Sequence, residues 1–160
     1  MTEKKENGST IKLVKGDITD MAVDAFVFDI KEDLKLCSGF GGAISVRGGP
    51  SIQEELNKLP KLSVGEAVIT SAGKMKAKYI IHANGPKFQE DDIPGKLKRA
   101  TLNSLKKSEK IGDIKYVAFP PMGTGIYGVA LDLCADVMLK TVKEYISGST
   151  KLKEVIFCLL

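Results

Sequence analysis

The sequence lacks any long apolar run, and this absence restricts where the protein is expected to work. No stretch approaches the 18 or more apolar residues that a membrane-spanning helix requires. The first ten residues, MTEKKENGST, contain nothing like the apolar region of a signal peptide. We therefore expect no membrane association and a cytoplasmic location.

Histidine and cysteine are scarce, which disfavours metal and thiol chemistry. The single histidine, His82, ends the apolar run at residues 79–81 and is more typical of a packed strand end than of a catalyst. The three cysteines show no C-x-x-C or zinc-like spacing. Cys134 and Cys158 fall in apolar patterns and are expected in the core, whereas Cys37 lies beside a glycine-rich loop without a histidine partner. We expect neither a metal nor a cofactor.

The formal net charge at pH 7 is +4, so the chain is only mildly basic. Much of the excess lies within and just after one predicted helix, at Lys96, Lys98, Arg99, Lys106, Lys107, Lys110 and Lys115. Aromatic residues are not interleaved with these cations, as a stacking platform for single-stranded nucleic acid would require. A solvated helix face explains the run, so the sequence leaves nucleic-acid binding open without supporting it.

Predicted strands and helices alternate along the 160 residues, a length that suits one domain. Residues 1–10 are polar and aperiodic and are predicted to be a flexible tail, followed by a single domain over 11–160. Ser51 and Glu54 predict a capping box at the start of one helix. We predict a three-layer α/β/α sandwich with a mixed, mostly parallel sheet. Its strands are expected at 11–14, 23–30, 67–71, 79–83, from 116, and at 155–159, and its helices at 42–47, 51–59, 94–110 and 131–146.

Two glycine-rich loops lie where such a sheet binds ligands, beyond the carboxyl ends of the strands. They are SGFGG at residues 38–42 and GTGIYG at residues 123–128, and each precedes a predicted helix. Glycine lets the backbone approach an anion, and a helix N-terminus adds positive partial charge. Two such loops suit a diphosphate better than a single phosphate, although a connecting turn remains the alternative for the second loop.

The second loop also matches the G-x-G-x-x-G dinucleotide fingerprint, which is weak evidence alone. The Rossmann version needs an acidic residue about 20 positions on, at the end of the next strand. Glu144 lies in that range but falls inside a helical pattern, and only one further strand follows. A Rossmann domain is therefore not supported.

Six motifs in order resemble those of macrodomains, the ADP-ribose-binding family. They are GDIT at 16–19, VDA at 23–25, GAI at 42–44, GEAVIT at 65–70, IHA with GP at 81–86, and AFP leading to TGIYG at 118–128. The resemblance covers nearly everything from residue 11 onward. It implies the macrodomain fold and ADP-ribose, free or attached to protein, as the partner.

The resemblance also implies roles for individual residues. Asp17 would accept a hydrogen bond from the adenine amino group, assisted by the Ile18 N–H; a carboxylate suits this role because it only accepts. The alternative for Asp17 is to cap the turn after the first strand. Tyr127 would cover the distal ribose, or else be a surface aromatic. The diphosphate and distal ribose would be wrapped by Ser38, Gly39, Phe40, Gly41, Gly123, Thr124, Gly125, Ile126 and Tyr127.

Several positions depart from the family pattern. Where many members carry Asn-Ala-Ala-Asn, this chain has FDIK at residues 28–31. Lys31 thus replaces the asparagine that holds the distal ribose, and an ammonium donates but cannot accept. The usual three glycines become CSG at residues 37–39. Gly41 stands where many hydrolases of the family carry a catalytic acid, and it has no titratable group.

The end of the chain departs as well, because family members often place an adenine-stacking aromatic just beyond the last strand. Here the sequence reads FCLL at residues 157–160. Either that contact is missing or another residue supplies it.

These patterns favour a non-catalytic reader, a domain that binds ADP-ribose or an ADP-ribosylated protein without hydrolysing it. One alternative is a hydrolase of ADP-ribosyl esters or ADP-ribose 1″-phosphate, for which Asp29 is the candidate catalytic residue. The other is a pocket that Phe28, Lys31 and Cys37 have adapted to another nucleotide, RNA or a protein partner. The sequence indicates no oligomeric state.

Overall fold

The computed structural model describes residues 2–37, 39–87, 89–124 and 127–160. In this part of the chain the strands are β1 Thr2–Glu6, β2 Ser9–Lys15, β3 Ala25–Asp29, β4 Ala67–Ser71, β5 Tyr79–Ala83, β6 Tyr116–Phe119 and β7 Glu154–Leu159. The helices are α1 Phe40–Gly48, α2 Ser51–Asn57, α3 Ile93–Lys110 and α4 Leu131–Ile146, with a 3₁₀ helix at Ile18–Asp20. These bounds place every predicted strand and helix of the sandwich within a few residues of its expected position.

The seven strands form one mixed sheet in the order β1-β2-β7-β6-β3-β5-β4. The five central strands, from β2 to β5, run parallel to one another, and both edge strands are antiparallel to their neighbours. Strand β3 is buried along its whole length, as expected for a parallel strand covered on both faces. The predicted three-layer, mostly parallel architecture is confirmed.

Two hydrophobic cores lie on the opposite faces of the sheet. One core packs α3 and α4 onto the sheet through residues such as Leu97, Leu105 and Met138. The other packs α1 and α2 through residues such as Ile44 and Ile52. Because each helix pair covers one face of the sheet, the helices leave the carboxyl ends of the parallel strands uncovered.

The predicted flexible tail is wrong in its first part, because Thr2–Glu6 forms an edge strand hydrogen-bonded to β2. Asn7 and Gly8 connect the two strands and both have positive φ, at 51° and 85°. Positive φ at both central residues is what a tight two-residue hairpin turn requires, and Asn-Gly supplies it most readily. The segment carries no apolar residue, so its hydrophobic pattern gave no strand signal.

The predicted capping box at α2 is also wrong. Pro50 is the N-cap of this helix and makes no side-chain cap hydrogen bond, and Ser51 is already the first helical residue. Helix α1 begins at Phe40 rather than at residue 42, so its N-terminus belongs to the first glycine-rich loop. Within the described residues, no helix is both long and apolar enough to cross a bilayer.

Candidate functional site

A cavity of about 730 Å³ opens at the carboxyl ends of the parallel strands. This volume lies in the range of small-molecule sites. Its walls come from the segments that follow β2, β3, β6 and β7 and from the start of α1. The lining residues are Gly16, Asp17, Ile18, Thr19, Phe28, Asp29, Ile30, Lys31, Lys35, Cys37, Gly39, Phe40, Gly41, Ala43, Pro120, Pro121, Met122, Gly123, Thr124, Tyr127, Cys158 and Leu160.

A second cavity, of about 410 Å³, lies between α4 and strands β2 and β7. Its lining is almost wholly apolar and includes Leu13, Leu131 and Phe157. A cavity of this kind offers no set of polar groups to orient a nucleotide. The larger cavity is therefore the candidate site, and it contains each predicted ligand-binding residue that the structure describes.

Asp17 stands at one end of the cavity and is the N-cap of the 3₁₀ helix. Its Oδ1 accepts hydrogen bonds from the Thr19 N–H (2.9 Å) and the Thr19 hydroxyl (2.6 Å), and its Oδ2 lies 3.1 Å from Nη2 of Arg47. The Thr19 hydroxyl is the largest cause of its lowered pKa, assisted by the Thr19 N–H and the Arg47 charge. A carboxylate offers about four acceptor positions, so the cap still leaves Oδ2 able to accept from a ligand amino group.

The N-terminus of α1 faces the cavity, and its backbone geometry is suited to an anion. Gly39 is the N-cap, with φ 67° and ψ −129°, a conformation that residues other than glycine rarely adopt. A Cβ at this position would meet nothing within 4 Å, so the backbone angles rather than space require glycine. The first N–H groups of any helix lack intrahelical partners, and here they begin at Phe40 beside the cavity. They are suited to a phosphate oxygen.

In the second glycine-rich loop, two backbone N–H groups are paired within the protein. The Gly123 N–H donates to Oδ2 of Asp29 (2.8 Å), and the Thr124 N–H donates to the Pro121 carbonyl (3.3 Å). These two amides are therefore directed at protein atoms, although both residues line the cavity. Three predicted ligand-binding residues, Ser38, Gly125 and Ile126, lie outside the described residues.

Asp29 is the buried carboxylate of the site, with a relative exposure of 8%. It ends β3 and accepts the Gly85 N–H at Oδ1 (3.0 Å) and the Gly123 N–H at Oδ2 (2.8 Å). Burial raises the pKa of Asp29 to about 6, against the two N–H donors and the Lys87 charge, which lower it. The sequence suggested Asp29 either as a catalytic candidate or as a strand-end residue, and its contacts tie together the loops after β5 and β6.

An aromatic wall stands at position 28, where many family members carry the first asparagine of Asn-Ala-Ala-Asn. The rings of Phe28 and Phe40 meet edge to face, with centroids 4.8 Å apart and an interplanar angle of 63°. A Cβ added at Gly41 would lie 3.3 Å from Cζ of Phe28. The Phe28 ring therefore fills the space beside Gly41, and no carboxylate is present at either position for acid–base chemistry.

Behind this wall, His82 is a core residue, as its sequence context predicted. The side chain is fully buried, and Nε2 lies 2.9 Å from the Thr70 hydroxyl. Nδ1 has no hydrogen-bond partner among the residues the structure describes. Burial lowers the pKa of His82 to about 3, so the ring is neutral at physiological pH and does not line the cavity.

Tyr127 lines the cavity, and the side chain of Lys87 contacts its ring. The Lys87 ammonium lies 4.9 Å from the ring centroid and also donates to Asn84 Oδ1 (3.2 Å) and to the Gly85 carbonyl (3.3 Å). A cation over an aromatic face stabilises both groups. Sequence reasoning missed Lys87, whose only signal was its place directly after the IHA-x-GP motif.

Two further lysines and one cysteine lie at the cavity. Lys31 is exposed, and Lys35, which also lines the cavity, donates to Asn57 Oδ1 (3.1 Å). Cys37 is a free, exposed thiol, whereas Cys134 and Cys158 are buried as predicted. Within the described part of the chain, no group of three or more histidine, cysteine or carboxylate side chains is placed to hold a metal ion.

Fold and site together define an α/β domain with a cavity at the carboxyl ends of its parallel strands. The family model for the macro domain matches residues 30–138. The chain belongs to the macro domain family. A macro domain-containing protein of Caldanaerobacter subterraneus subsp. tengcongensis is 41% identical over 158 residues, covering 93% of this chain and 87% of the relative. One of Listeria monocytogenes is 38% identical over 154 residues, covering 92% of this chain and 88% of the relative.

Solved structures show the same fold. A variant of the Oceanobacillus iheyensis macrodomain with ADPR matches at a TM-score of 0.90 and 26% identity, covering 99% of this chain and 89% of that chain. The Trypanosoma brucei macrodomain in complex with ADP-ribose matches at a TM-score of 0.86 and 25% identity, covering 93% of this chain and 63% of that chain. The macrodomain fold expected from the sequence is confirmed.

Proposed function

We propose that this protein binds ADP-ribose, free or attached to another protein, as a non-catalytic reader. The observation that carries the proposal is the pairing, in one cavity of about 730 Å³, of the Asp17 carboxylate with the N-terminus of α1. The carboxylate suits the amino group of adenine, and the helix N-terminus suits the diphosphate. The macrodomain structures solved with ADP-ribose support this choice of ligand.

The charges around the cavity fit an anionic ligand. Lys31 and Lys35 line the cavity, and the Lys87 ammonium lies 4.9 Å from the centroid of the Tyr127 ring. Two carboxylates, Asp17 and Asp29, also line the cavity. The Asp17 charge is shared with Arg47, which also lies 3.8 Å from Asp20, and Asp29 accepts the Gly85 and Gly123 N–H groups. An adenine amino group could therefore bind Asp17 while the diphosphate lies toward the lysines and α1.

The direct test is calorimetric titration with ADP-ribose, with AMP, NAD and a short poly(A) as competing ligands. We expect micromolar or tighter binding that prefers ADP-ribose. No binding at millimolar ADP-ribose would refute the proposal, and preference for poly(A) would instead favour the RNA alternative.

The adenine contact is tested by Asp17→Ala, with Asp20→Ala as the matched control. Both substitutions remove a carboxylate that pairs with Arg47, but only Asp17 lines the cavity. A hydrogen bond to a charged group contributes about 1.5–3 kcal/mol, so Asp17→Ala should weaken ADP-ribose binding by roughly ten- to a hundredfold. Equal affinities in the two folded variants would contradict the assignment.

Hydrolysis of ADP-ribosyl esters is the second candidate function, and one observation favours it. Asp29 lines the cavity with a pKa raised to about 6, which is suitable for proton transfer near neutral pH. The hydrolase is disfavoured because both carboxylate oxygens of Asp29 already accept hydrogen bonds from backbone N–H groups. Release of ADP-ribose from a modified protein by the wild type, and its loss in Asp29→Ala, would establish the hydrolase. No release under conditions of saturating binding supports the reader.

A further inference from the structure

The carboxylate of Asp29 connects three segments that follow parallel strands. It stands at the end of β3 and holds the Gly85 N–H on the loop after β5 and the Gly123 N–H on the loop after β6. These contacts join residues 56 and 94 positions apart in the sequence. The Asp29 side chain therefore positions two loops at the cavity relative to each other, rather than stabilising a single turn.

The two glycines leave little freedom around the carboxylate. A Cβ at Gly85 would lie 3.2 Å from Oδ1 of Asp29. Gly123 has φ 81°, and a Cβ there would lie 2.8 Å from Cγ2 of Val129 and 3.2 Å from the Pro86 carbonyl oxygen. Because the backbone is packed this closely, the Gly123 N–H depends on the carboxylate for its partner, and an unpaired buried donor is costly.

The loop that Asp29 holds is the one that forms the cavity wall. Gly123 opens the segment that leads to Tyr127, and both residues line the cavity. Lys87, which follows Gly85 and Pro86, donates to the Gly85 carbonyl and contacts the Tyr127 ring. Loss of the two hydrogen bonds would free both supports of this wall together.

We propose that Asp29 is a positioning residue that holds the cavity in its binding-competent shape only while its carboxylate is ionised, so that ligand affinity falls in mild acid. The inference rests on the proposed function, because ADP-ribose is the ligand whose affinity reports the shape. An ionised carboxylate accepts at both oxygens, whereas the protonated acid presents one O–H donor toward two N–H donors. Protonation therefore releases at least one loop.

Several charged and titratable groups face or neighbour Asp29. The Lys87 ammonium favours the ionised form and the Glu90 carboxylate opposes it. The Tyr127 phenol and the Cys134 thiol have pKa values raised to about 12, chiefly by burial, and stay neutral. His82, on the neighbouring strand β5, stays neutral because its pKa is lowered to about 3.

A ligand-free experiment tests the hydrogen-bond clamp itself. The amide NMR signals of Gly85 and Gly123 are followed from pH 5 to pH 8 in the wild type and in Asp29→Asn. We expect both wild-type signals to shift with one shared midpoint near pH 6, where Asp29 titrates, and no such midpoint in the folded variant. Independent or absent titration of the two amides overturns the clamp, and this wild-type result does not require the variant to fold.

The affinity experiment compares ADP-ribose binding at pH 7.5 and pH 5. If only the ionised form binds and Asp29 titrates near pH 6, about one molecule in ten is competent at pH 5, and the apparent affinity falls about tenfold. Asp29→Asn should bind more weakly than the wild type at pH 7.5 and show no such fall. Affinity that is unchanged or higher at pH 5 refutes the positioning role.

Asp33→Asn is the matched control, because it removes a negative charge near Tyr127 without touching either glycine loop. If Asp29 acted on the anionic ligand only by repulsion, both variants would bind more tightly. The clamp predicts weaker binding in Asp29→Asn and no weakening in Asp33→Asn. Absence of ADP-ribose binding to the wild type at pH 7.5 would refute the proposed function, while the glycine titration would still decide whether the clamp exists.

Discussion

The buried carboxylate of Asp29 should make the free energy of unfolding depend on pH in a specific direction. Burial raises its pKa from an ordinary 3.8 to about 6 in the folded chain. The folded state therefore holds a proton that the unfolded state has lost between these two values. Since stability falls with pH wherever the folded state binds more protons, this carboxyl stabilises the fold below about pH 4, and that contribution is lost as pH rises through 6.

The size of the effect follows from the same two values. A pKa difference of about 2 corresponds to about 3 kcal/mol in total, of which about 2 kcal/mol falls between pH 4.5 and pH 7. For a chain of this length that is roughly 4–8 °C in Tm. Asp29→Asn cannot titrate, so the difference in stability between wild type and variant should change by this amount over the same range.

The assay is urea unfolding of wild type, Asp29→Asn and Asp33→Asn at several pH values from 4.5 to 7.5. Asp33→Asn, at an exposed carboxylate, is the control for the removal of one negative charge. Other carboxylates affect all three proteins alike and cancel in the differences. Parallel pH profiles for wild type and Asp29→Asn would refute the argument, as would a wild type that gains stability relative to the variant between pH 4.5 and 7.

Three further predictions concern glycines and thiols. Gly73→Ala should destabilise the fold by about 1–3 kcal/mol in chemical denaturation, because its φ is 56° and a Cβ would lie 2.1 Å from the Gly48 carbonyl oxygen; Gly112→Ala, with nothing within 4 Å, should be close to neutral. Gly39→Ala should weaken ADP-ribose binding by roughly tenfold or more, because its strained backbone misplaces the N–H groups of α1; unchanged calorimetric affinity would contradict this. In the native protein, iodoacetamide should label Cys37 and spare the two buried thiols, as peptide mass spectrometry would show.

Sequence reasoning predicted the layers, most element bounds and the general location of the site, because these depend on local patterns. The buried run of β3 and the amphipathic α4 carry their own signals, and Gly39 lies directly before a helix. Asn7-Gly8 also carried a hairpin signal, but no apolar residue in β1 supported it.

The role of Asp29 could not be predicted in the same way. Its partners, Gly85 and Gly123, are glycines that donate only through the backbone and lie far away in the sequence. No pattern of side chains in the sequence predicts such a contact, because it forms only when β3, β5 and β6 lie side by side in the sheet. The sequence therefore identified Asp29 as a carboxylate at a strand end without indicating what it holds.

The two departures at positions 28 and 41 are one packing arrangement rather than two separate losses. The resemblance to other macrodomains leads one to expect an amide at position 28 and, in hydrolases, an acid at position 41. Here the Phe28 ring occupies the space beside Gly41, where a Cβ would lie 3.3 Å from its Cζ. A carboxylate at position 41 would need that ring to move, and the ring is held by Phe40. The missing amide and the missing acid are therefore linked by a single contact, between the Phe28 ring and position 41, and this packing agrees with the proposed role as a reader.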